Sequence, residues 1–383
     1  MSAFEQVESH SVDTDKPQID VATDVATPIK PEVNASAPAR GAQQQCMVTP
    51  FQPLDDQKLA DPHQCIHELN RQYAMVNVSG KALIVDTFAD PPTYSSKQDF
   101  YDFLANQVIT LNQVEIPLAH YWFKHKDRRQ YLSGIVFDPS RQNTPGEYNL
   151  WKGWAVSSEA TKSCQRFLWH LEHVICDGDP VCFHYFLDWL AKMVQEPQTL
   201  PGVAICLLSD QGTGKGLMMS YLHKIVGSHY KHISNKEQLL GRFTGQLEDA
   251  LLVFADELHW EAKKGDTGIL KTLITEKVRM MENKHMKPYH VKNCIHLIIA
   301  SNERWAIPAE MGDRRFFVLD VSDKKKGDHS YFSRLSQEMN NGGPEALLHF
   351  LQQRDITGFN PSQFPKTAAR VDLTWSRFSG HPS

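Results

Sequence analysis

The period of the apolar positions changes several times along this chain, and the changes divide it into segments. Residues 1–62 hold Ser, Thr, Asp, Pro, Ala, Val and Gln with almost no aromatics. Such a stretch cannot bury enough apolar surface to offset the entropy of ordering it, so it reads as a disordered tail. Residues 63–155 read as a small α/β accessory domain. There YAMVNV and KALIVDTF alternate like a hairpin with Ser79-Gly80 at the turn. Ser96 to Ile109 reads as one helix, with Phe100, Phe103, Leu104 and Val108 on a face and Ser95 or Ser96 as its cap. LSGIVFDP is a further strand. Residues 156–200 form a helical collar, with Phe167, Leu168, Leu171, Val174, Phe186, Leu187 and Leu190 at helical spacing. Residues 201–325 alternate apolar runs with helical patterns, which predicts a mostly parallel sheet covered by helices on both faces. Residues 326–383 read as two helices, split at Asn341-Gly342-Gly343-Pro344, and a polar end.

The first apolar run of the 201–325 segment, Val203 to Leu208, breaks into SDQGTGKG before a helical pattern through Leu217, Met218, Tyr221 and Leu222. A strand, a glycine-rich loop with a lysine, and a helix make a phosphate cradle. Small residues let successive backbone N–H groups converge on the anion, and the helix N-terminus adds partial positive charge. The expected phosphate ligands are Gly212, Thr213, Gly214, Lys215 and Gly216. The loop departs from GxxxxGK[ST] twice: Ser209 replaces the first Gly, and Gly216 replaces the hydroxyl that would touch magnesium.

Three more apolar runs carry candidate chemistry at one end. LLVFADELHW ends in Asp256 and Glu257, about 40 residues beyond Lys215, a spacing that suits one intervening α/β unit. Asp256 is the expected Mg²⁺ ligand and Glu257 the residue that polarises the attacking water. CIHLIIASNERW places Asn302 where an amide can orient that water. GDRRFFVLDVSD carries Arg314 and Arg315, one of which would reach a neighbouring subunit's γ-phosphate. VRMMEN and KPYHVKN alternate as two short strands, and their tip, with Lys284, His285 and Lys287, would present cations to a phosphate backbone.

These motifs, in this order, resemble the superfamily three helicases. NLWKGWAV, LDWLAKMVQEPQTLPGVAICLLSDQGTGKG, ISNKEQLLGRFTGQLEDALLVFADE, HLIIASNERWAIPAEMGDRRFFVLDVSD and ITGFNPSQFPKT extend the resemblance. It runs from near residue 65 to near 370, toward the C-terminal helicase part of phage-type primase-helicases. It is more distant toward pox-virus and phage-satellite helicases. The resemblance implies a P-loop AAA+-like ATPase that uses ATP and Mg²⁺. It also implies a homo-oligomeric ring, usually a hexamer, translocating on single-stranded DNA in phage or mobile-element replication. The hairpin would touch DNA in the channel. Relatives carry a polymerase domain ahead of the helicase, and the stretch before residue 65 is too short for one. The expectation is therefore a helicase without primase activity, with a separate primase or polymerase as a candidate partner. The rival expectation is an ATP-binding DNA-loading module that assembles rings without productive unwinding.

Composition narrows the picture further. With 383 residues the chain has room for more than one domain. A net charge of −5 confines any nucleic-acid surface to a local patch. No run reaches membrane-spanning length and no basic-then-apolar leader opens the chain, so the expected location is the cytoplasm of a bacterial or phage-infected cell, with no membrane partner. Seven irregularly spaced cysteines suit reduced thiols. Cys164, His170, His173, Cys176, Cys182 and His184 include zinc-ligand types but lack paired CxxC units, and they read as core and surface positions of the collar. Trp122, Tyr131, Trp151 and Trp154, interleaved with Lys124, Lys126, Arg128, Arg129 and Lys152, suit either base stacking or a packed small domain.

Overall fold

The computed structural model describes residues 61–140, 145–241, 244–257, 264–282, 288–302 and 313–367. The first helix, α1 (Pro62–Gln72), starts where Asp61 accepts a hydrogen bond from the His63 amide, with Pro62 in the first turn where its missing N–H costs nothing. Strands β1 (Tyr73–Val78) and β2 (Lys81–Asp86) form the expected antiparallel hairpin, and Ser79 and Gly80 turn it with φ of 50° and 84°. β3 (Thr93–Ser95) extends the sheet beyond β2.

The helix expected over Ser96–Ile109 is shorter. α2 (Lys97–Phe103) opens on a capping box between Ser96 and Asp99 and stops at Phe103. The β-branched run Val108-Ile109-Thr110 belongs instead to β4 (Val108–Leu111), which pairs with β5 (Val114–Pro117). Asn112 and Gln113 close that ribbon, both at positive φ. α3 (Leu118–Lys124) follows, then β6 (Gln130–Tyr131), which adds to the far edge of β1. β7 (Gly134–Val136) and β8 (Glu147–Asn149) pair with each other.

Alternation along β1 places its two faces in two cores. Ala74, Val76 and Val78 join the main core, while Met75 packs with Leu69, Phe100, Leu118 and Trp122 in a smaller one. The interleaved aromatics and cations are mostly used in this packing. Trp122 is fully buried and donates from Nε1 to Asn70 at 2.9 Å. Arg128 and Arg129 donate to the carbonyls of Phe123 and Asn70. Trp151 stacks on His229 with ring centres 4.7 Å apart.

The segment expected to be a collar contains α4 (Gln165–His170), which runs into a π-helical turn at Leu171–Ile175, and α5 (Pro180–Gln195), capped by Asp179. The chain then enters β9 (Ala204–Leu208), α6 (Lys215–Val226), β10 (Tyr230–Ile233), α7 (Lys236–Leu240), β11 (Leu252–Asp256) and α8 (Lys264–Thr275). β12 (Val278–Met281) and β13 (Tyr289–Lys292) pair as the expected hairpin. β14 (His296–Ser301), β15 (Phe316–Asp320), α9 (His329–Asn340) and α10 (Gly343–Gln353) complete the described chain. Five strands form one sheet in the order β10-β11-β14-β9-β15, every neighbour parallel. The protein is thus mixed α/β with a parallel sheet. β9 is buried on both faces, as a central parallel strand requires. Ile205 and Leu207 join the core that contains α5 and α6, while Ala204 and Cys206 join the core that contains α8. Among the described residues, no helix is long and apolar enough to cross a membrane.

His170 and His296 are fully buried in this core. Burial holds His170 down to about 4 and His296, packed edge-on against Trp189, down to about 3. Both folded values lie below the unfolded value of about 6.5. The unfolded chain therefore binds protons that the folded chain refuses, and stability present above pH 6.5 is lost as pH falls through this window. We expect His296 alone to account for ~2 kcal/mol of lost stability between pH 7 and pH 5. Denaturant midpoints at the two pH values check this. His296→Leu should reduce the loss, and an unchanged pH dependence in that variant would contradict it.

Candidate functional site

Residues 209–214 connect β9 to α6. The loop is tied at both ends. The Ser209 amide donates to the Ser301 carbonyl at 3.1 Å, and the hydroxyls of Ser209 and Thr213 lie 2.9 Å apart. Gly212 and Gly214 adopt φ of 81° and 98°, the left-handed region that a side chain rarely enters. Gly214 caps α6, and its carbonyl accepts the Met218 amide at 3.1 Å, so the free amides of the first helical turn face the loop cavity. Lys215 begins the helix and donates from Nζ to the Ser209 carbonyl at 3.1 Å. Burial pulls its ammonium below the usual lysine range, and Asp256, Glu257 and Asp210 oppose that shift.

The two carboxylates stand across the same strand edge. β14 lies between β9 and β11, with Asp256 opposite Ala300 in the register. Burial raises the Asp256 carboxyl above its ordinary value, opposed by His232, whose Nε2 lies 3.7 Å away, and by Lys215. Glu257 has φ of 51°, a conformation that costs a non-glycine residue ~1 kcal/mol or more. Its amide donates to the Ala300 carbonyl at 3.1 Å, and its carboxylate accepts a hydrogen bond from Gln211 Nε2 at 3.0 Å. Asn302 is exposed, one residue beyond the end of β14. The structure thus brings Gly212–Gly216, Asp256, Glu257 and Asn302 to the carboxyl-terminal edge of the sheet, where parallel α/β folds form ligand crevices. The cleft between loop and carboxylates measures about 390 Å³ and is closed on one side by Leu217 and Phe332.

The donor set can accommodate Mg²⁺ in one way. Gly216 has no hydroxyl, and that of Thr213 is buried and bonded to Ser209 and the Asp210 carbonyl. The Thr213 hydroxyl is thus already engaged within the loop. Asp256 remains, and among the described residues no group of three or more His, Cys, Asp or Glu converges to hold a metal unaided. An ion at Asp256 would rely on phosphate oxygens and water for its other ligands, the mode Mg²⁺ favours.

The two arginines lie elsewhere. Arg314 and Arg315 precede β15 and so sit at the amino-terminal edge, roughly 17 Å of strand away from the loop. Arg315 is half-buried and clipped to Asp313 by its amide at 3.0 Å and its guanidinium at 3.3 Å. Arg314 is exposed and has no ion-pair partner among the described residues. Both line a 790 Å³ cavity with Lys277 and Lys292 at the root of the β12–β13 hairpin. Lys284, His285 and Lys287 lie outside the described residues.

Sequence reasoning missed several groups at the cleft. His170 was read among the collar's core and surface positions. Its ring instead points at the loop, with Nε2 3.3 Å from the Gly214 carbonyl and Nδ1 2.8 Å from the Tyr331 hydroxyl. Cys164, Cys176 and Cys182 are buried thiols, all pushed up by desolvation. Gln211, His232, Phe332 and Lys326, whose Nζ binds Asp210 at 3.0 Å, also belong to the cleft's surroundings. Only the fold brings segments so far apart in sequence together.

Known proteins share this architecture. A family model described as a family of unknown function, DUF5906, matches residues 207–315, which include every candidate residue from Gly212 to Arg315. The DNA primase-polymerase of Nitratiruptor phage NrS-1 is 32% identical over 168 residues, 43% of this chain. The match spans only 23% of the length of that curated relative. An apo structure of the NrS-1 C-terminal region superposes with a TM-score of 0.65 at 21% identity, covering 82% of this chain and 75% of that one. A second, the A form of the same region, gives 0.63 at 22% identity with the same coverage. At such identities the structural likeness is one of fold. The chain is similar in sequence to part of a phage primase-polymerase and in fold to the C-terminal region of NrS-1.

Proposed function

We propose that this chain is an ATP-driven DNA helicase of phage or mobile-element replication, working as a homo-oligomeric ring on single-stranded DNA. One observation carries the reading: a glycine loop with a half-buried lysine, two carboxylates and an exposed amide share one edge of a parallel sheet. The amides of residues 212–216 and the Lys215 ammonium bind the β- and γ-phosphates. Asp256 holds Mg²⁺, which supplies charge neutralisation at the transferring phosphoryl group. Glu257 accepts the hydrogen bond that polarises the attacking water, and Asn302 orients that water. Similarity to a protein named a DNA primase-polymerase supports a place in replication and makes a primase or polymerase a natural partner.

The arginine role falls to Arg314. Arg315 already neutralises Asp313, whereas Arg314 is exposed at the opposite edge from its own loop. It can meet a γ-phosphate only on another copy, which is what a ring would provide. The P-loop AAA+-like assignment and the hexamer rest on the same reasoning. The hairpin tip with Lys284, His285 and Lys287 is the proposed DNA contact. A second reading, a loading module that binds ATP without productive unwinding, is favoured by one feature: Gln211 holds the Glu257 carboxylate in the unliganded chain.

ATP hydrolysis should rise with single-stranded DNA. It should fall at least ~100-fold in Lys215→Ala and in Glu257→Gln, the latter still binding ATP. Turnover intact in Lys215→Ala would overturn the mechanism, and DNA binding without any wild-type turnover would favour the loading module. A mixing experiment tests the position of Arg314. Lys215→Ala and Arg314→Ala, each inactive alone, should regain part of the activity when combined, because mixed rings rebuild some complete sites. No recovery on mixing would place Arg314 outside the shared site.

A further inference from the structure

The His170–Tyr331 pair has no part in the mechanism above, yet it touches the loop at its most constrained residue. His170 is the last residue of α4, at the entry to the π-helical turn, and is fully buried. Insertions of this kind in a helix commonly mark functional positions. Its Nε2 faces the Gly214 carbonyl at 3.3 Å, and its Nδ1 faces the Tyr331 hydroxyl at 2.8 Å. A carbonyl can only accept, so Nε2 carries the proton. Nδ1 of the neutral ring then accepts from the Tyr331 O–H. Burial keeps the ring neutral at physiological pH.

The contact leaves the loop little freedom. A Cβ built on Gly214 would lie 2.5 Å from His170 Cε1 and 2.8 Å from Phe332 Cε1. The Gly214 carbonyl also accepts the first bond of α6, so the peptide that joins Gly214 to Lys215 is fixed by two donors. Its orientation sets where the Lys215 amide aims. Tyr331 and Phe332, neighbours near the start of α9, therefore grip the loop from the C-terminal side, one through His170 and one directly.

We propose that His170, oriented by Tyr331, is a positioning residue for the phosphate loop: it holds the Gly214 carbonyl so that the loop amides are aimed before nucleotide arrives. The proposal rests on the phosphate-binding reading above. Preorganised donors lower the ordering cost of binding, so loss of the imidazole should weaken ATP affinity more than it slows the bound complex.

The test is equilibrium binding of ATP with Mg²⁺ by the full chain, together with KM and kcat where turnover is present. His170→Leu should weaken ATP binding about tenfold, as loss of a buried hydrogen bond predicts. His170→Gln, whose amide can still donate to the Gly214 carbonyl, should recover most of that loss. Tyr331→Phe keeps the ring in place and removes only the hydroxyl. It should weaken binding about threefold with little change in thermal midpoint, and it tests the idea even where His170→Leu fails to fold. Wild-type affinity in folded Tyr331→Phe and His170→Leu would overturn the proposal, as would His170→Gln no tighter than His170→Leu. Lys215→Ala keeps the two levels apart. Unchanged ATP binding there would overturn the phosphate reading itself, whereas loss there with normal binding in the His170 and Tyr331 variants would overturn this inference alone.

Discussion

The last two carbonyls of β14 hold the candidate site together. Ser301 accepts the amide of Ser209, the first loop residue, and Ala300 accepts the amide of Glu257, the second carboxylate. One strand end therefore sets the distance between the loop and the carboxylates, and Asn302 emerges from the same end. The arrangement follows from strand order: β14 must lie between β9 and β11 for its two edges to serve both neighbours. Backbone bonds within a doubly covered sheet are hard to deform, so the spacing is a property of the fold rather than of side-chain rotamers.

Around that frame the charges are closely balanced. Lys215 is drawn partly out of water, which disfavours its charge, while Asp256, Glu257 and Asp210 restore it. Asp256 experiences the converse, raised by burial and lowered by His232 and Lys215. A triphosphate with its cation would add charges of both signs to this balance, and the half-buried setting makes each interaction stronger than it would be at an open surface. Glu257, at a positive φ, accepts a hydrogen bond from Gln211 through one carboxylate oxygen, which leaves the other oxygen open to a further donor.

Much of this was legible in the sequence because each feature announces itself locally. Val203–Leu208, Leu251–Asp256 and Ile295–Ser301 are apolar runs long enough for buried strands, and the candidate residues stand at or just beyond the end of each. The hairpins at Ser79-Gly80 and between residues 278 and 292 followed from alternation alone. The end of α2 was misjudged because Val108 and Ile109 satisfy a helical face and a strand equally well. The β-branched run and the turn at Asn112-Gln113 decided for a strand. His170 and Tyr331 were invisible as partners for a different reason. They lie 161 positions apart, and nothing near either signals the other. Trp122, Arg128 and Arg129 suited two readings until packing showed that carbonyls and a small core consume them.

The most direct measurement of the central claim is calorimetric titration of the purified chain with ATP and with AMP in the presence of Mg²⁺. If the edge formed by the glycine loop and the carboxylates is a triphosphate site, ATP binds and AMP, which lacks the β- and γ-phosphates, binds at least ~100-fold more weakly. Equal affinity for the two nucleotides, or no heat with ATP, would contradict the account.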